Sequence, residues 1–396
     1  MIVRAFRALR PDPKYVEKVQ CPPYDVVTKE EAEEYAREPY SFMRVIRPEV
    51  VAKEGESIYE VAARELKRLI SENVLVREEK PKFYLYSQTM GKHTQTGLVA
   101  CVAAEEYPEK IKRHELTRTD KERERMNHIL ATRANTGQVF LTYRNNDELD
   151  DLLNVNNGKL LYEVKSKNPD VIHRIYSIED EKIAQSIVEA FQKVPAFYIA
   201  DGHHRASASA RVSKELGGEG EWNYFMATIF PHNELQLMGY HRVIKDLNGL
   251  TEKEFLEKLQ KANFDVAEVD GVVEPKTPHH FGMYLLGRWY ELRATKVNEK
   301  DPIERLDVSI LQQRVLDPIL GIKNPRTDSR IDFVGGIRGI PYLESLVDSK
   351  DYVLAFALYP TRIEDVMEVA DSNLFMPPKS TWFEPKLQSG LLIHTF

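Results

Sequence analysis

An aspartate, a glycine, two histidines and an arginine stand in one unbroken run, Asp201-Gly202-His203-His204-Arg205. The stretch before it, Phe197-Tyr198-Ile199-Ala200, is aromatic, β-branched and small, which is the composition of a buried strand. Asp-Gly suits a tight turn, because glycine tolerates positive φ at no steric cost. Ala206 to Leu216 then has helical composition and stops at Gly217-Gly218. The spacing predicts a strand, a turn and a helix, with both histidines and the arginine in the first helical turn. A helix N-terminus favours acidic groups by roughly 0.3–1 kcal/mol, so basic side chains there make better sense if an anion arrives. Free amides, the helix dipole and a guanidinium fork together would hold a phosphate. The plain alternative is that Asp201 caps the helix and the histidines are solvated.

The elements that must position this turn can be read along the chain. Val3 to Leu9 reads as a first strand, followed by the rigid turn Cys21-Pro22-Pro23-Tyr24-Asp25. Lys29 to Ala36 reads as a helix capped by Thr28 with Glu31 three residues on, and Glu56 to Ile70 as a second, with Ile58, Val61, Ala62, Leu66 and Ile70 on one face. Phe83–Thr89 and His93–Ala103 form an expected hairpin through Met90-Gly91-Lys92. In the charged stretch that follows, Thr119 to Glu122 has the pattern of a capping box for a helix to about Ala134, with Met126, Ile129 and Leu130 inward. Val139–Tyr143 and Arg174–Ser177 read as strands and Asp180–Lys193 as a helix leading into the Phe197 strand. Alternating strands and helices are the grammar of an α/β domain. Tyr224–Phe230 and Leu235–Val243 read as a hairpin through Pro231-His232-Asn233-Glu234. Beyond Gly249 the expected elements are helices at Glu252–Ala262, Asp307–Leu320 and Ile363–Ala370. A strand at Phe264–Val269, a hairpin across Gly287-Arg288 and a buried strand at Tyr352–Tyr359 complete that part.

Composition bounds the function classes. A chain of 396 residues, 42% of them hydrophobic, can bury a large core in more than one domain. A net charge of −7 argues against a duplex-binding surface. Cys21 and Cys101 are far apart and in no metal spacing, which points to a reducing, cytoplasmic setting. The start, Met1 to Arg7, is too short and too charged for a signal peptide. The longest apolar run, Tyr352–Tyr359, falls far below a membrane span. No nucleic-acid or membrane partner is expected; the oligomeric state is left open, a homo-oligomer included.

Five runs carry a resemblance: Cys21-Pro-Pro-Tyr-Asp, Arg113-His-Glu-Leu-Thr, Ala200-Asp-Gly-His-His-Arg, Arg330-Ile-Asp-Phe-Val-Gly-Gly and Met376-Pro-Pro-Lys-Ser-Thr-Trp-Phe-Glu-Pro-Lys. In that order they resemble the domain-of-unknown-function 1015 family. The middle part is similar to the ParB and sulfiredoxin superfamily, which includes the free L-serine kinases. The resemblance implies an α/β (α+β) fold, a ParB/sulfiredoxin-like mixed-sheet core with an N-terminal extension over 1–245, and a docked C-terminal α+β part over 246–396. It implies phosphoryl transfer from Mg-ATP or Mg-ADP to the hydroxyl of free L-serine, giving O-phospho-L-serine. Asp201, Gly202, His203, His204 and Arg205 would bind nucleotide phosphates and Mg²⁺, Asp201 as the metal ligand. Glu115 would be the general base, and Tyr24 and Asp25 would line the acceptor pocket; His114 could orient Glu115, meet the nucleotide or be a plain surface histidine, and Thr117 is a lesser candidate at the nucleotide. The long pieces at both ends depart from minimal serine kinases and could change the acceptor or close the site.

Phosphoryl transfer asks mainly for positioning and charge neutralisation. Mg²⁺ typically takes one or two carboxylates plus phosphates and waters, a part Asp201 suits as well as it suits a plain N-cap. Arg125 shares a helix face with Glu122, so an i,i+3 ion pair explains it; Arg133 is a further minor candidate. His279-His280 points two ways and lacks a third ligand at helical spacing, so zinc is not expected. The Gly335-Gly336 turn could admit a ligand or be an ordinary turn. Lys379, Ser380 and Thr381 could reach a phosphate, with tail packing the simpler role. Two other readings stand beside the kinase: a ParB-like nucleotide-binding regulator, and a metal-dependent phosphohydrolase with Asp201, His203 and His204 as ligands.

Overall fold

Nine strands of the computed structural model, which describes residues 1–167 and 169–396, assemble into one mixed sheet. They are β1 (Val3–Arg4), β2 (Tyr84–Met90), β3 (His93–Ala103), β4 (Ile111–Lys112), β5 (Val139–Tyr143), β6 (Lys159–Ser166), β7 (Val171–Ser177), β8 (Phe197–Asp201) and β9 (Tyr224–Pro231). Their order is β4-β8-β5-β9-β3-β2-β7-β6, with β1 paired to β3. β8 runs parallel to β4 and antiparallel to β5, and β9 runs parallel to β5 and antiparallel to β3. One face buries Leu85, Leu98, Leu141, Phe197, Ile199 and Phe225 in a single cluster. A helix, α4 (Glu181–Gln192), adds Ile187 and Phe191 to it and is capped by Asp180, whose side chain accepts from the amides of Lys182 and Ile183. At roughly 1.5–3 kcal/mol for each fully buried large apolar side chain, this cluster is the main stabiliser of the sheet that carries the 201–205 turn.

The remaining helices of this part are α1 (Lys29–Ala36), α2 (Ile58–Ser71), α3 (Thr119–Thr132) and α5 (His203–Leu216). In α1 the capping box of Thr28 and Glu31 forms as the sequence implies. In α2 the buried face is Val61, Ala62, Leu66 and Leu69, while Ile70 is exposed, so the face is rotated from the one expected. α3 departs further. Arg118 is its N-cap and makes no side-chain cap bond, and the buried residues are Arg125, His128, Ile129 and Thr132 rather than Met126 and Leu130. Glu122 is diverted from capping because its carboxylate is taken by Thr117, Ser207 and Arg211. α3 packs on α5 through Ile129, Ala208 and Val212.

The chain divides into two compact units, Met1–Leu235 with Pro385–Phe396, and Gln236–Glu384. Relative to a split after residue 245, the strand Tyr240–Ile244 lies in the second unit and residues 385–396 lie in the first. The hairpin expected from Tyr224–Phe230 and Leu235–Val243 is not formed. β9 pairs with β3 and β5, whereas Tyr240–Ile244 joins the other sheet, since alternation marks a strand but not its partner. The expected Val3–Leu9 strand is two short ones, β1 and Leu9–Pro11, the latter paired with Leu75–Arg77.

Within the second unit, β10 (Tyr240–Ile244), β11 (Phe264–Val269), β12 (His280–Leu285), β13 (Arg288–Ala294), β14 (Ile331–Gly335) and β15 (Leu354–Leu358) form an antiparallel sheet ordered β11-β13-β12-β15-β10-β14. Helices α6 (Glu252–Lys261), α7 (Asp307–Leu311), α8 (Ile340–Asp348) and α9 (Ile363–Asp371) accompany it. α7 passes into a π turn over Gln312–Leu316, shortening the expected Asp307–Leu320 helix. The fold is therefore α+β, with a mixed sheet in the first unit.

Candidate active site

The turn after β8 is built by backbone geometry first. The register between β8 and β5 shifts between Ile199 and Asp201, so Ala200 is an extra residue at the strand's end, a local bulge of the kind that re-aims side chains. Gly202 is the N-cap of α5 at φ 95°, ψ 30°, a left-handed conformation. A Cβ there would also meet the Arg205 guanidinium at 3.1 Å, so both backbone and space call for glycine. Asp201 is thus not the helix cap. Its Oδ1 accepts from the Gly202 amide at 2.9 Å and its Oδ2 lies 3.5 Å from Arg205 Nη2. Loss of water would raise the Asp201 pKa, but the charges of Lys386 and Arg205 and the Gly202 amide outweigh it and hold it at about 2. The carboxylate is ionised at neutral pH. The first turn of α5 contains no acid, and the amides that open any helix lack helical carbonyl partners.

The two histidines reach sideways to a loop. The His114 amide donates to His203 Nε2 at 3.5 Å, and the Arg118 amide donates to His204 Nε2 at 3.1 Å. The rings of His114 and His203 meet edge to face at 4.5 Å. The segment from 114 to 118 is therefore fastened at both ends to the first turn of α5, with Glu115, Leu116 and Thr117 held between. Glu115 is half-buried and Leu116 exposed. Thr117 donates to Glu122, which also accepts from Ser207 Oγ at 2.7 Å and Arg211 Nη1 at 2.9 Å. Both imidazoles accept at Nε2, which requires that nitrogen to be unprotonated. Burial supplies the reason: it pushes the His203 pKa well below the usual value, helped by His114, and lowers His204 against the opposing pull of Glu122 and Asp25. His114 is lowered to about 4 by burial, partly offset by the Ile199 backbone and Asp201.

Arg205 is committed to protein groups. Nη1 donates to the Gln138 carbonyl, and Nη2 lies between Asp201 Oδ2 and Asp25 Oδ2, the latter at 3.7 Å. Burial would lower its pKa, but these two acids raise it. The guanidinium so links the turn to Cys21-Pro22-Pro23-Tyr24-Asp25, and Arg205 sits 6.0 Å from the Tyr24 ring on one side while Arg125 stacks at 4.1 Å. Arg47 holds that turn by donating to the carbonyls of Tyr24 and Val27. Asp25, Tyr24, Arg205, Asp201, His203, His204, His114 and the loop bearing Glu115 and Thr117 thus form one connected constellation.

Three groups in it have roles the sequence reading did not assign. Lys386 supplies the largest pull on the Asp201 charge and comes from the C-terminal segment that rejoins the first unit. Gln138 anchors Arg205, and Glu122 ties α3 to α5. Arg125 pairs with Glu124 Oε1 at 2.5 Å rather than with Glu122, correcting the i,i+3 expectation. The Pro-Lys at 385–386 was the available signal, within a run otherwise explained by packing. Other candidates have local roles. Gly335 faces the Trp382 ring, which a Cβ would meet at 2.5 Å. The Lys379 carbonyl accepts from Arg242 and Ser380 Oγ donates to the Pro377 carbonyl, both within the second unit. Arg133 is the left-handed C-cap of α3 and lies over the Phe396 ring.

The residues fit a magnesium ion in donor chemistry: Asp201 and Asp25 are hard oxygen ligands flanking one guanidinium, and Mg²⁺ ordinarily takes one or two carboxylates with phosphates and waters. Among the described residues no group of three or more His, Cys, Asp or Glu side chains is placed to hold a metal without such a partner.

A mixed-sheet protein whose α5 N-terminus carries no acid and is fastened through two histidines to a neighbouring loop is the class these observations define. Residues 3–309 match the family model described as Protein of unknown function (DUF1015), and the chain belongs to that family. The matched span ends before the Arg330 and Met376 runs. No curated protein matches the chain. Among solved structures it is similar to SbnI with C-terminal truncation from Staphylococcus aureus, at 12% identity and TM-score 0.39 over 74% of this chain and 87% of that one. It is similar to a free serine kinase in complex with AMP at 13% identity and TM-score 0.38, over 74% and 92%. A conserved hypothetical protein from Pyrococcus furiosus gives 13% identity and TM-score 0.35, over 74% and 95%. Among the described residues no helix is long and apolar enough to cross a membrane.

Proposed function

We propose that this protein is a small-molecule kinase that transfers a phosphoryl group from Mg-ATP or Mg-ADP to the hydroxyl of free L-serine, giving O-phospho-L-serine, and that it works in the cytoplasm. One observation carries the reading: the loop bearing Glu115 is bonded through His203 and His204 to the helix turn that offers amides to an anion. A base for a hydroxyl and a cradle for phosphates are thereby held against each other.

In this reading the amides opening α5 bind the terminal phosphates, and Asp201, with Asp25 beside it, would hold Mg²⁺. Bound there, the ion would neutralise charge on the phosphate oxygens. Glu115 takes the proton of the acceptor hydroxyl as its oxygen attacks the terminal phosphorus, and the bond to the bridging oxygen breaks, releasing ADP or AMP. His203 and His204 act as neutral struts that position the loop, because each Nε2 already accepts a backbone amide. The same bonds count against the phosphohydrolase alternative, which needs those nitrogens for metal. Arg205 holds Asp25 and Asp201 in register rather than gripping the nucleotide through a free fork.

Incubation with Mg²⁺, nucleotide and L-serine should yield O-phosphoserine by ³¹P NMR, and Glu115→Gln should abolish it while nucleotide still binds. Release of inorganic phosphate without phosphoserine would favour hydrolysis. Nucleotide binding with neither product would favour a ParB-like regulator.

A further inference from the structure

Beside the turn lies a small cavity lined by Tyr24, Arg125, Asn135, Thr136, Arg205 and Ser209, among others. Its volume of about 30 Å³ is roughly the room two water molecules need. Arg125 and Arg205 are each 9% exposed, and the Nε of each is buried with no hydrogen-bond acceptor among the described residues. Three of their other nitrogens are engaged: Arg125 Nη2 with Glu124, Arg205 Nη1 with the Gln138 carbonyl, and Arg205 Nη2 near Asp25 and Asp201. A buried charged donor left without an acceptor is costly, and the two residues that carry such a donor line one cavity. The Tyr24 ring lies near both guanidiniums, and Asn135 and Ser209 add neutral polar groups.

The geometry points to a carboxylate subsite: a small ligand's carboxylate, its two oxygens accepting from Arg125 Nε and Arg205 Nε. A phosphate presents more oxygens than these two charged donors serve. A planar group with two acceptor oxygens matches both the size and the donors. The subsite deepens the kinase reading and depends on it only in naming the ligand, the carboxylate of the amino-acid acceptor. Arg205 then serves a ligand carboxylate through Nε and the Asp201 carboxylate through Nη2, so one side chain sets the distance between the acceptor and the phosphoryl turn.

The test is calorimetric titration of the full chain with L-serine, L-serinamide, acetate and inorganic phosphate, repeated for Arg125→Gln, Arg125→Lys and the cavity-filling Ser209→Val. L-Serine and acetate should bind the wild-type protein and L-serinamide should bind at least tenfold more weakly, the loss of a charge-assisted pair. Arg125→Gln should weaken L-serine at least tenfold while ADP affinity stays within about twofold. Ser209→Val, which removes no charge, should weaken L-serine as well and covers the case in which the arginine variants fail to fold. Equal binding of L-serine and L-serinamide, stronger binding of phosphate than acetate, or unchanged L-serine affinity in folded variants would overturn the subsite. Carboxylate binding with this variant pattern but no phosphoserine would uphold the subsite and remove the kinase. Phosphoserine formation unaffected by Arg125→Gln would do the reverse.

Discussion

Gly202 shows how tightly single residues are constrained here: it holds φ 95° under the Arg205 guanidinium. Gly202→Ala should cost about 1–3 kcal/mol from backbone strain, with the arginine displaced as well, and should weaken nucleotide binding; urea denaturation and a nucleotide titration check both. Arg205→Ala should act mainly on stability, because it leaves Asp201 and Asp25 without their shared cation and frees the Gln138 carbonyl. A loss of about 2–4 kcal/mol is expected, measured by the same denaturation. The residue types of the 201–205 run were legible because basic side chains at a helix start break a local preference. Their roles were not. Which nitrogen of His203 or His204 is engaged depends on amides at His114 and Arg118, distant in sequence.

At the scale of elements, the buried histidines couple folding to pH. His114 and His128 are each lowered to about 4, chiefly by burial, so in the folded protein both stay neutral well below 6.5. Between pH 6.5 and 4 the unfolded chain binds protons that the folded chain refuses. Their contribution is therefore full above about 6.5 and is lost as pH falls through that window. Unfolding free energies measured by urea at pH 7, 6 and 5 should drop by at most about 1.4 kcal/mol per pH unit for each such histidine. A flat profile would contradict the burial of His114 and His128 as neutral imidazoles. Most helices were legible from period and caps, as with Thr28 and Glu31. The polar strand β6, half of whose residues are exposed, was missed, and the partners of β9 were beyond reach, because alternation says nothing about which strand lies alongside.

Over the whole molecule, the clearest point is where the chain's last segment goes. Leu391, Leu392 and Ile393 are buried in the first unit, Ile393 bridges to Leu9, Ser389 to Cys21, and His394 pairs with Asn135. The sequence reading marked the run before it, Met376–Lys386, as packed tail and assigned nothing to these last residues. Ile393→Ala should cost about 2–5 kcal/mol, read as a lower denaturation midpoint. Since the same segment brings Lys386 to Asp201, Lys386→Gln should weaken nucleotide binding and also lower the denaturation midpoint, because the half-buried Asp201 carboxylate loses a compensating charge. The central claim is that the 201–205 turn and the 113–118 loop make one phosphate site. Hydrogen exchange with and without Mg-ADP tests it most directly. The account predicts that nucleotide slows exchange in both segments together. Protection of neither, or of the turn alone with the loop unchanged, would contradict it.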